Sequence, residues 1–133
     1  MKKKVLVVDD EKDARAFVAS VLGDDYDVSE ASSADEGIAA ARADTPDLMI
    51  LDVQMPGKDG FVMFDELGHD ETLKGVPVVM LTGIAEKTGM KFSGEDMGQY
   101  IGSEPEAYID KPIEPIVLKQ AVKRLLKGQA PSA

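Results

Sequence analysis

Leu48-Met49-Ile50-Leu51-Asp52 is an uninterrupted apolar run closed by a carboxylate, set between Pro46 and the turn-forming stretch Met55-Pro56-Gly57-Lys58-Asp59-Gly60. The run shows no polar alternation, so it predicts a strand buried on both faces, as in the middle of a parallel sheet. Pro46 marks the turn before it. Proline, glycine and aspartate after it supply turn chemistry. A helix is predicted from Phe61 to about Gly68.

The same grammar repeats on either side. Val5-Leu6-Val7-Val8 is a short β-branched run ending at Asp9-Asp10. After Glu11, residues Ala14, Phe17, Val18, Val21 and Leu22 recur at helical spacing, and Gly23 is a natural stop. A second strand is predicted over Tyr26 to Ala31. Ser33-Ala34-Asp35-Glu36 reads as a capping box for a helix running to about Ala43. Pro77 opens the strand Val78-Val79-Met80-Leu81, where a missing donor is tolerated. Ala107-Tyr108-Ile109 is a short fifth strand. A last helix follows Pro115, with Leu118, Ala121, Val122, Leu125 and Leu126 at helical spacing and Gly128 as its stop. Alternating strands and helices predict an α/β fold, a parallel sheet covered on both faces. One domain is expected over residues 1–128, with a frayed tail at 129–133. Between Thr88 and Pro105, Gly89, Gly94, Gly98 and Gly102 weaken any helix, each costing roughly 1 kcal/mol relative to alanine.

In an open parallel sheet, ligands bind beyond the carboxyl ends of the strands. Those ends are Asp9-Asp10, Asp52, Thr82-Gly83 and Asp110-Lys111-Pro112. Each residue has a bland alternative. Asp9 or Asp10 could cap the first helix. Asp52 could be a turn carboxylate, Thr82 a strand-end hydroxyl and Lys111 a surface cation. Their coincidence on one rim favours phosphoryl chemistry. Asp9, Asp10 and Asp52 sum to -3, and Lys111 brings the sum to -2. A divalent cation with hard oxygen preference balances that charge, and Mg2+ suits few carboxylates with several retained waters. Asp52 is then a competent nucleophile for an acyl phosphate, with Thr82 and Lys111 contacting the phosphoryl oxygens.

Composition sets outer bounds. With 133 residues, 44% of them apolar, the chain is sized for one core. Its 25 acids against 15 bases give a net charge of -10. That excess disfavours direct DNA binding and an anionic membrane surface. There is no cysteine, which excludes disulfide and thiolate chemistry. Lys2 to Lys4 followed by Val5 to Val8 is too short for a secretory signal, and a cytoplasmic location is expected. His69, the only histidine, lies away from the rim, so the chain is not itself a histidine kinase or a histidine phosphotransfer protein.

The stretches Val7-Val8-Asp9-Asp10-Glu11, Leu51-Asp52 through Gly60, Leu81-Thr82-Gly83 and Tyr108-Ile109-Asp110-Lys111-Pro112 together resemble the receiver domain of two-component response regulators. The resemblance covers almost the whole chain, in order. It implies a flavodoxin-like, doubly wound five-stranded sheet of order 2-1-3-4-5. It implies phosphoryl transfer onto Asp52 from a sensor histidine kinase or a histidine phosphotransfer protein. It implies Mg2+ held by Asp10, Asp52 and the backbone carbonyl of Gln54, with Asp9 acting through water. It implies a cis bond before Pro112, and Thr82 and Tyr108 as switch residues. Such a domain signals to a partner protein by population shift rather than by turning over a substrate.

The segment between Thr82 and Lys111 is longer and richer in glycine than is usual for the family, so its fourth helix is expected to be short or irregular. Nothing after the last helix suggests a DNA-binding or catalytic unit, so a stand-alone regulator is expected. A symmetric homodimer formed on phosphorylation is an open assembly. Three rivals stand beside this reading. An aspartate-nucleophile phosphatase of the haloacid dehalogenase type needs an acid where Gln54 stands. A flavodoxin needs phosphate-binding amides and hydroxyls where Asp9-Asp10 stand. A pseudo-receiver binding partners without phosphorylation keeps the fold but not the chemistry.

Overall fold

Strand β3 (Leu48–Asp52) is buried along its whole length, because it lies in the middle of the sheet with helices over both faces. The structure, a computed structural model, describes residues 2–55, 57–82 and 107–128. The other strands are β1 (Lys4–Val8), β2 (Asp27–Ala31), β4 (Val78–Thr82) and β5 (Ala107–Asp110). All described pairings are parallel and the order is β2-β1-β3-β4-β5. The expected order 2-1-3-4-5 is therefore the observed one.

Successive side chains of a strand point to opposite faces, and the core divides accordingly. Leu6, Val8, Met49, Leu51, Val78 and Met80 pack with helices α2 (Ala34–Ala43) and α3 (Gly60–Gly68). Val5, Val7, Leu48, Ile50, Val79, Leu81 and Ile109 pack with α1 (Lys12–Leu22) and the C-terminal helix (Pro115–Gly128). In that last helix Leu118, Val122 and Leu126 are buried, one turn apart, as their spacing predicts. Among the described residues, no helix is long and apolar enough to cross a membrane.

Two local expectations need correction, and one is met in an unexpected conformation. Phe17 is 38% exposed, because α1 meets the sheet through Val18 and Leu22 and leaves Phe17 on the flank of a narrower stripe. Gly23 ends α1 in a right-handed conformation (φ -63°), so its freedom to adopt left-handed backbone is not used. At α2 the Ser33 side chain accepts from the Glu36 amide at 3.1 Å, as a capping box requires. The Glu36 carboxylate, however, reaches back to the Ser32 amide (3.0 Å) and hydroxyl (3.2 Å). The expected irregular helix between Thr88 and Pro105 and the frayed tail lie outside the described residues.

Candidate phosphoacceptor site

Asp9, Asp10, Asp52, Thr82 and Lys111 come together at the carboxyl edge of the sheet, each at or just past the end of a strand. One carboxylate oxygen from each of Asp9, Asp10 and Asp52 lies within 4.8 Å of the others. Asp9 and Asp52 are buried, at 0% and 2% exposure, while Asp10 faces solvent. Two negative groups are thus withdrawn from water and the third keeps the site open to it.

Lys111 counters them directly. Its Nζ lies 3.2 Å from Asp9 Oδ2 and 3.2 Å from Asp52 Oδ1. Its amide donates to the carbonyl of Thr82 at 2.8 Å, extending the β4–β5 ladder past Asp110. The peptide bond that follows, Lys111–Pro112, is cis. Thr82 is itself 7% exposed. Asp9 serves two purposes, since its Oδ1 also accepts from the Glu11 amide at 2.9 Å, at the start of α1. That bond closes a turn ahead of α1 rather than capping it: the N-cap residue is Glu11, with no side-chain cap, so the capping alternative for Asp9 does not hold.

Asp52 titrates at about 6, well above the ordinary carboxylate value. Burial is the largest cause and the charge of Asp9 adds to it, while Lys111 and the Gln54 amide pull the other way. For Lys111 burial disfavours the charge, but Asp52 and Asp9 outweigh it and its pKa is raised. Two carboxylates held this close with one ammonium remain short of positive charge. Three hard oxygen donors, one of them facing solvent, fit a small divalent cation such as Mg2+. Gln54 lies two residues past Asp52 and is half-buried, and Tyr108 packs on the α2–α3 side of the core.

The loop after Asp52 is fixed on both sides. The Val53 amide donates to Leu81 O at 2.9 Å, and the Gly60 amide donates to Val53 O at 2.9 Å. A Cβ at Gly60 would collide with the carbonyl oxygen of Asp52 and stand 2.9 Å from Val53 Cα, so only glycine lets α3 start this close. Gly57 has φ +79°, the left-handed region that glycine tolerates. The Asp59 side chain caps α3 by accepting from the Val62 amide at 2.9 Å. Lys58 ties the loop to Asp35 at 2.8 Å and to Glu66 at 2.7 Å.

Two contributors escaped the sequence reading. Gly60 carried only a generic turn signal, although Asp59-Gly60 before an apolar run could have flagged a tight helix start. Arg15 was passed over entirely. Its Nη1 donates to the Asp9 carbonyl at 2.7 Å and its Nε meets Glu30 at 3.2 Å. No spacing rule links Arg15 on α1 to Glu30 on β2.

Comparison with known proteins gives one answer throughout. The family described as response regulator receiver domain matches residues 5–123. The response regulator PleD of Caulobacter vibrioides is 34% identical over 128 residues, covering 96% of this chain and 27% of PleD. The phosphate regulon transcriptional regulatory protein PhoB of Escherichia coli is 30% identical, covering 100% of this chain and 56% of PhoB. The chain thus spans about a quarter to a half of the length of such relatives. The structure of the chemotaxis protein CheY4 of Vibrio cholerae superposes with a TM-score of 0.80 at 30% identity, covering 94% of this chain and 99% of that one. A putative response regulator from Chloroflexus aurantiacus gives 0.81 at 30% identity, covering 96% and 99%. With its sheet order, its rim of strand-end carboxylates and these matches in agreement, the chain belongs to the response regulator receiver domain family of two-component systems.

Proposed function

We propose that this domain accepts a phosphoryl group on Asp52 from the phosphohistidine of a sensor kinase or histidine phosphotransfer protein, and signals through the resulting change of shape. The observation that carries the reading is the placement of Lys111 Nζ at 3.2 Å from both Asp9 Oδ2 and Asp52 Oδ1, at a buried strand end. Lys111 beside it favours the ionised form of Asp52 that the reaction needs. An Asp52 carboxylate oxygen attacks phosphorus, the P–N bond to the partner's imidazole breaks, and the electron pair stays on the leaving nitrogen. The product is an acyl phosphate on Asp52.

Phosphoryl transfer depends chiefly on positioning and charge neutralisation. Lys111 supplies the fixed cation, and Thr82 offers its hydroxyl to the phosphoryl group. Mg2+, when held by Asp10, Asp52 and the Gln54 carbonyl with Asp9 acting through water, supplies the remaining positive charge. Thr82 and Tyr108 are assigned the switch, moving together between two states whose populations phosphorylation shifts. The acid excess of the chain leaves direct DNA contact out of the proposal. The proposed location is the cytoplasm.

Intact-mass spectrometry after incubation with acetyl phosphate and Mg2+ tests this reading. One phosphoryl adduct is expected on the wild type, none on Asp52→Asn and none in EDTA. Absence of the adduct, together with absence of beryllofluoride binding, would favour a pseudo-receiver that recruits partners without chemistry.

A further inference from the structure

Arg15 occupies the first turns of α1, yet its guanidinium is spent on the neighbouring strand ends. Nη1 donates to the backbone carbonyl of Asp9 at 2.7 Å, and Nε pairs with Glu30 Oε1 on β2 at 3.2 Å. The other side of the same residue is also held, because the Asp9 amide donates to Ala31 O at 3.1 Å. The Asp9 backbone is therefore gripped from β2 through Ala31 and from α1 through Arg15. Its side chain has no freedom left either, being fully buried between the Glu11 amide and Lys111. The Arg15 side chain is only 16% exposed.

We infer that Arg15 is a positioning residue for the cation site, clamping the Asp9–Asp10 turn so that both carboxylates face Asp52. The inference rests on the reading of this rim as a Mg2+-dependent phosphoacceptor site. A guanidinium suits the task because its planar fork serves a carbonyl and a carboxylate at fixed angles. A lysine at position 15 would keep the charge but not the fork. Partners that orient ligating carboxylates are worth roughly 10–100-fold in metal affinity elsewhere.

The sign of the effect separates positioning from plain electrostatics. Arg15 is a positive charge beside a cation site, so on charge alone its removal would tighten Mg2+ binding. Loss of the clamp weakens it. A role confined to holding the fold together would lower stability in EDTA and leave the affinity of the folded protein unchanged.

Isothermal titration with Mg2+ on the wild type, Arg15→Lys, Arg15→Gln and Glu30→Gln decides the matter, with urea unfolding in EDTA alongside to establish that each variant is folded. Both Arg15 variants are expected to bind Mg2+ about 10-fold more weakly or worse. Glu30→Gln, which leaves the Asp9 contact in place, should lose a smaller factor. Affinity unchanged or tightened in folded Arg15→Lys and Arg15→Gln overturns the inference and leaves the phosphoacceptor reading standing. A wild type that binds no Mg2+ overturns both.

Discussion

The Lys111 ammonium stands 3.2 Å from Asp52 Oδ1, although 59 residues of sequence separate them, and the link runs through paired strands rather than through any loop. Lys111 is thereby a structural as well as an electrostatic partner of Asp52. Lys111→Met should leave Asp9 and Asp52 uncompensated and cost on the order of 1–3 kcal/mol, discounted from a fully buried pair because the side chain keeps some solvent contact. Urea unfolding in EDTA measures this. Saturating Mg2+ should recover part of the loss, and no recovery would speak against a shared charge site.

Asp52 should make the metal-free protein less stable as pH rises. Its folded pKa of about 6 lies above the ordinary 3.8. The folded state therefore binds the proton more tightly than the unfolded chain does, and this group's contribution to stability is lost as pH climbs through that window. Asp52→Asn removes the titration. Unfolding free energies in EDTA should show the variant gaining on the wild type from pH 4 upward, by on the order of 2 kcal/mol, and levelling above pH 7. A constant difference across that range would contradict the assignment.

Mg2+ should stabilise the wild type by mass action, about 2.7 kcal/mol at 100 times its Kd. A thermal melt at several Mg2+ concentrations reads this directly. Asp10→Asn and Asp52→Asn should each flatten the dependence, whereas Asp65→Asn, at the far end of α3, should not. Equal stabilisation of all these variants would mean the ion acts elsewhere.

Glycines at two helices should respond differently to alanine. At Gly60 the new methyl meets the Asp52 carbonyl and the Val53 backbone, which cannot yield without moving the acceptor, so Gly60→Ala should cost about 2 kcal/mol or more and reduce phosphorylation. At Gly37 it meets side-chain atoms, Val8 Cγ2 at 2.7 Å and Met63 Cε at 3.0 Å. The helix gains about 1 kcal/mol in propensity there, so Gly37→Ala should cost less and leave Asp52 chemistry intact. Denaturation midpoints and acetyl phosphate labelling compare the two.

Much of this architecture was readable before the structure. Three strands, β1, β3 and β4, announce themselves by short apolar runs; β2 is a mostly polar stretch with a weaker signal, and β5 shows as Ala107-Tyr108-Ile109 before the Asp-Lys-Pro stretch. Because ligands of such sheets bind beyond the strand ends, finding the strands also located the cluster of Asp9, Asp10, Asp52, Thr82 and Lys111. Geometry that depends on tertiary placement was not readable. Phe17 satisfies the helical period yet lies off the core, because periodicity gives a face but not its width. Arg15 and Gly60 matter through backbone atoms of other elements, and no residue type in the sequence encodes a carbonyl's position. The division of labour between the two carboxylates of Asp9-Asp10, one buried and one exposed, also emerges only from packing.

The Lys111 amide bound to Thr82 O has a mechanical corollary. Strand β5 is an edge strand of the sheet, paired with β4. Any displacement of Thr82 is transmitted through that bond to Lys111, and one step of chain earlier to Ile109 and Tyr108. The outermost strand is thus tied to the end of β4 by a backbone bond that does not depend on any side chain.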